Sequence, residues 1–185
     1  MNIIVNSQKI KFPFEKYCLL NISVVPAKDI IGIKEIRFVD HFSHPKYDKD
    51  SLGCYFPETN GKNAIIEIHI PNIIKHRVSK YYFERHPEIS ALIISETIFH
   101  EIGHHVHFFR KHGIKKRKYE FFADKYATAG YFHYIKYRQK KILSSYKWGS
   151  RNFIELNKEE RSKLYKNYQE IVDWLDKHKD GIPFP

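Results

Sequence analysis

Ile94, Ile98, Ile102, Val106 and Phe109 recur at three- and four-residue intervals. That spacing lays one apolar stripe along an α-helix, so the segment must bury one face against the rest of the chain. The helix is bracketed by its own sequence signals. Pro87 suits a first helical turn, Glu88 follows where a negative charge is favoured, and Gly113 is a good terminator. A helix is therefore expected over 87–112, and other elements must pack around it.

The opposite face of this helix is polar in an organised way. His100 and His104 lie one turn apart on the same face, about 40° from each other at ~100° per residue. Two imidazoles so placed can reach a single tetrahedral Zn²⁺. Glu101 sits about 100° round from His100, outside the ligand pair but within reach of a water between them, as a general base requires. Gly103 costs a helix interior about 1 kcal/mol relative to Ala. Its presence there implies that another backbone comes close. His105 projects near the apolar stripe and reads as a packed histidine. His107 is the alternative ligand on the same face, a turn beyond His104.

A catalytic zinc site needs a third protein ligand. The best candidate lies in Tyr119-Glu120-Phe121-Phe122-Ala123-Asp124-Lys125-Tyr126-Ala127, within a second helix expected over 118–144. Glu120 and Asp124 share one face of it, and Ala123 and Ala127 are small enough to press against Gly103. Glu120 is the expected ligand, with Asp124 or a further histidine as the alternatives. Asp124 is expected to accept a hydrogen bond from the outer nitrogen of a ligand histidine, fixing its tautomer. A bare His-Glu-x-x-His also arises by chance in solvated helices; the context around it gives it weight.

Upstream, residues 1–75 carry most of the strand-like patterning. Lys34–Val39 alternates, with Ile36 and Phe38 on one side; Leu52–Phe56 is a second strand; Asn60-Gly61 signals a tight turn. Ala64–Ile70 follows as a strand ended by Pro71, with Ile66, Ile68 and Ile70 on one face and Glu67 and His69 on the other. A small antiparallel sheet is expected. After Gly149-Ser150, Asn157 can cap a last helix running to about Lys179, with Leu164, Tyr168, Ile171 and Leu175 as its stripe. The fold class is α+β: a sheet, an active-site helix, a second ligand-bearing helix and a C-terminal helix. The expected organisation is one domain over 1–150, with a helical extension over 151–185 packed on it.

These residues resemble the gluzincin metallopeptidases. The resemblance is carried by His100-Glu-Ile-Gly-His104 followed by Glu120-Phe-Phe-Ala-Asp124, with Leu52-Gly-Cys-Tyr-Phe-Pro upstream, and covers about residues 50–127. It implies a zincin-like fold, zinc held by His100, His104 and Glu120, Glu101 as base, and a protein or peptide substrate. It also implies an edge strand along the cleft, for which 64–70 is in the expected place. One branch carries a tyrosine about two turns before the third ligand to steady the oxyanion. Gly113 occupies that position here. Tyr126, Tyr131 and His133 are the substitutes, and spacing does not select among them.

Composition bounds the rest. The chain is 42% hydrophobic and 29% charged, which permits a packed core and argues against wholesale disorder. The net charge is +11. Arg110-Lys111-His112, Lys115–Lys118, and Lys136, Arg138, Lys140 and Lys141 interleaved with Tyr134 and Tyr137 suit phosphate contact plus base stacking. Nucleic acid is thus a second expected partner class, against the plainer reading of a solvated surface. The two cysteines, Cys18 and Cys54, read as reduced thiols. With no signal-peptide pattern and no membrane-length apolar run, the sequence reads as cytoplasmic.

Overall fold

Strand Ala64–His69 (β4) is buried along nearly its whole length, and the sheet is built around it. It lies between Ile33–Val39 (β2), which it pairs in parallel, and Gly53–Phe56 (β3), which it pairs antiparallel. Asn2–Val5 (β1) joins the far side of β2 in parallel, giving the order β1-β2-β4-β3. In this computed structural model, residues 1–8, 10–43, 50–58, 63–110, 117–152 and 158–185 are described. The Asn60-Gly61 turn lies outside them.

The sheet is therefore mixed, and the expectation of an antiparallel sheet is corrected. A parallel pair needs a crossover. Between β1 and β2 the chain supplies one in helix Phe14–Ile22 (α1), with Phe14, Tyr17 and Cys18 turned into the core. A second correction concerns the edge. Segment 64–70 is not the edge strand, because β2 and β3 pair with it on either side; both of its faces are also covered. Ile66 and Ile68 point into the core. On the other face Glu67 accepts hydrogen bonds from Arg37 (3.4 Å) and the Ser43 backbone N–H (3.0 Å), and His69 stacks on Phe42 at 4.7 Å. The edge next to β4 is the short strand β3.

Pro71 ends β4 as expected, but it also opens helix Ile70–Arg77 (α2), whose first turn it occupies. A proline has no N–H to lose at that position. The His69 Nδ1 caps the turn by accepting the Asn72 N–H at 3.2 Å. Helix Lys80–Arg85 (α3) follows, capped by Ser79 Oγ, which accepts from the Tyr82 N–H at 3.3 Å.

The central helix spans Pro87–Arg110 (α4). Ile94, Ile98, Ile102 and Val106 are buried with Ile36, Phe38, Ile66 and Ile68 in one core cluster. Phe109 departs from the expected stripe: it is 46% exposed, beside Gly32. Helix Arg117–Asn152 (α5) returns alongside α4. It runs through Gly149-Ser150, where a break was expected, since one glycine weakens a helix without ending it. It also crosses the expected boundary at residue 150. Helix Lys158–Lys177 (α6) packs on α5 through Trp174, 5.3 Å from Phe132, and through the buried Leu175. Asn157 and the Leu164 side chain lie outside the described residues. Cys18 and Cys54 are both buried, and neither is in a disulfide. Among the described residues, no helix is long and apolar enough to cross a membrane.

Candidate metal centre and cleft

Gly103 sets the geometry. A Cβ there would stand 2.8 Å from the Ala123 Cα and 3.1 Å from the Ala123 carbonyl oxygen. Helices α4 and α5 therefore touch backbone to backbone at this level, as the pairing of Gly103 with Ala123 implied. The contact carries Glu120, one turn before Ala123, up to the two histidines. Its Oε2 lies 3.3 Å from His100 Nε2 and 3.6 Å from His104 Nε2. One ligand atom from each of His100, His104 and Glu120 falls within 4.8 Å of the other two, a group able to hold a metal ion.

Asp124 sits one turn along α5 with its Oδ1 3.1 Å from His100 Nδ1. A carboxylate there fixes the ring so that Nε2 presents its lone pair toward Glu120. His104 is buried, and burial, then His100 and His107, push its pKa down to about 4. It is a neutral imidazole at ordinary pH, the form that binds metal. Tyr119 stacks on the His104 ring (4.8 Å, 18° between planes) and donates to the His104 carbonyl at 3.3 Å. Sequence reasoning passed over Tyr119, although it directly precedes Glu120 on a helix docked against α4.

The Glu101 carboxylate lies against β3 on the same cleft. Gly53 makes room for it. A Cβ at Gly53 would lie 2.8 Å from Glu101 Oε1 and 2.7 Å from Thr97 Cγ2. The Tyr55 backbone N–H donates to the carboxylate. Burial first, and the nearby Glu120 second, raise the Glu101 pKa to about 8, against that hydrogen bond. Such a carboxyl exchanges a proton near neutral pH, as a general base and then acid must. Gly53 and Tyr55 were also missed. A glycine within a short strand does signal close approach, but not of what.

These groups open onto a cleft of about 630 Å³, lined by His100, Glu101, His104, Tyr119 and Glu120 together with strand β3. Arg77, from the end of α2, also lines it. His105 is packed: its Nδ1 is 3.1 Å from the Tyr55 hydroxyl and its Nε2 2.8 Å from the Ile31 carbonyl. His107 is buried against Tyr119 (4.8 Å) and Phe122 (5.0 Å) and is not in the ligand group.

Two of the three candidate oxyanion donors are placed elsewhere. Tyr126 is fully buried and donates to Asp29 at 2.9 Å. The His133 Nε2 is 2.9 Å from the Ile182 carbonyl, with its ring stacked on Phe184. Tyr131, three turns beyond Glu120 on α5, lines a cavity that His100 and Asp124 also border. The basic–aromatic stretch on α5 is not one surface either. Tyr134 is fully buried, and Arg138 pairs with Glu88 at 2.6 Å. Residues 111–116 lie outside the described ones.

No protein-family model matches this chain, and neither a curated protein nor a solved structure does.

Proposed function

We propose that this protein is a zinc-dependent peptidase that hydrolyses peptide bonds with Glu101 as general base, in keeping with its resemblance to the gluzincins. One observation carries the reading: His100, His104 and Glu120 converge from two helices beside a buried carboxylate, on a cleft edged by a strand. The donor set suits zinc. Tetrahedral bonds of about 2.0–2.1 Å put ligand atoms about 3.3 Å apart, which the 3.3 and 3.6 Å separations from Glu120 match. Zinc, when bound, supplies a Lewis acid that polarises a carbonyl and acidifies water.

The chain's own residues do the rest. Strand β3 pairs on one side with β4 and lines the cleft on the other, so an extended peptide can add to it through backbone hydrogen bonds. Glu101 takes the proton of the attacking water and passes it to the leaving amine. Asp124 holds the His100 ring, and Tyr119 holds that of His104.

The test is a metal analysis beside a peptide-library cleavage assay on wild type and Glu101→Gln. About one zinc per chain is expected in both, with cleavage falling ~10²–10⁴-fold in the variant, the usual contribution of a general base. A zinc-free wild type, or undiminished cleavage by the variant, overturns the reading.

A further inference from the structure

A second cavity, of about 650 Å³, shares Glu96, His100 and Asp124 with the cleft. It continues from the metal cluster between α4, α5 and α6. Its volume is in the range of small-ligand pockets, roughly 300–1,000 Å³. Its walls are apolar and aromatic, formed by Tyr131, Ile135 and Tyr146 of α5 and Ile171 and Trp174 of α6. The Tyr131 and Trp174 rings meet edge to face at 6.2 Å.

The charge on this cavity is the opposite of the protein's. Over a chain with net charge +11, its lining holds three carboxylates, Glu96, Asp124 and Glu170, and no Lys or Arg among the described residues. The cations beside two of them neutralise them poorly. Arg77 stands 3.9 Å from Glu96, and Lys166 3.7 Å from Glu170, both exposed and beyond hydrogen-bond length. The Tyr131 phenol registers the same field: burial, then Tyr146 and Glu96, push its pKa up.

An apolar stem with a cationic head fits such a wall. The stem packs on isoleucine, the head sits over an aromatic face or against a carboxylate, and an acidic side chain is repelled. We propose that this cavity receives a lysine or arginine side chain of the substrate, flanking the bond that is cut. The assignment rests on the peptidase reading and names its substrate class.

The test has two arms, using one series of labelled peptides that differ at a single central residue: lysine, norleucine or glutamate. In the first arm, binding to zinc-loaded Glu101→Gln is measured by fluorescence anisotropy. The lysine peptide is expected to bind at least ~10-fold more tightly than the glutamate peptide, and several-fold more tightly than norleucine. The second substitution Glu170→Lys is expected to abolish that advantage. The long-range field of a +11 protein favours the glutamate peptide, so a lysine preference reports the local site. Norleucine or glutamate binding as well as lysine overturns the proposal. In the second arm, wild type cleaves the same series. Cleavage indifferent to the central residue overturns the pocket and leaves the peptidase standing. Lysine-selective binding with no cleavage of any peptide supports the pocket and overturns the peptidase.

Discussion

Replacing Glu101 with glutamine should make the metal-free protein more stable, and increasingly so as pH rises. In the folded chain burial and Glu120 lift the Glu101 pKa to about 8. In the unfolded chain a glutamate titrates near 4.3. Between those values the folded state keeps a proton that the unfolded state has released. Stability from this group is therefore complete below about pH 4 and is lost as pH climbs to 8. Each pKa unit is worth about 1.4 kcal/mol, so the loss from pH 5 to pH 8 is roughly 4 kcal/mol. Glutamine has no proton to lose. Urea unfolding of chelator-treated wild type and Glu101→Gln at pH 5 and pH 8, followed by circular dichroism, isolates the term. The variant's advantage should be larger at pH 8 by about that amount, and zinc should shrink it by placing positive charge beside the carboxylate. An advantage equal at both pH values would refute the account of Glu101 as a buried, proton-holding carboxyl.

Two further outcomes follow from the helix contact. Asp124→Asn removes the carboxylate 3.1 Å from His100 Nδ1 and should weaken zinc affinity about 10–100-fold in a chelator competition, while unchanged affinity would show that His100 is held by other means. Gly103→Ala gains about 1 kcal/mol of helix propensity but drives a methyl to 2.8 Å from the Ala123 Cα. Net destabilisation of about 1–3 kcal/mol by thermal melts, with reduced metal content, is expected; a more stable variant would mean that the helices do not depend on this approach.

The helices that carry the site were legible because each has an apolar stripe and a punctuated end. The strand faces were legible for a similar reason: Ile66 and Ile68 repeat with a period of two. Which strand neighbours which was not, because periodicity reports a face and says nothing of a partner. Hence the sequence reads β4 as the edge, whereas β2 and β3 pair with both of its sides. Pro71 reads only as a stop in the sequence, although proline both ends strands and begins helices. The cluster of His100, His104 and Glu120 followed from spacing and small residues. The support given by Gly53, Tyr55 and Tyr119 did not, since it comes from packing between segments distant in sequence.

The backbone contact of Gly103 with Ala123 also says what this architecture can vary. The register between the ligand helices is fixed at their crossing, three residues from Glu120 and one from His104. A change at either small residue displaces the three candidate ligands together. Kinship to this chain is thus better sought in the pairing of a glycine before the second histidine with an alanine three residues after the glutamate than in any fixed distance between them.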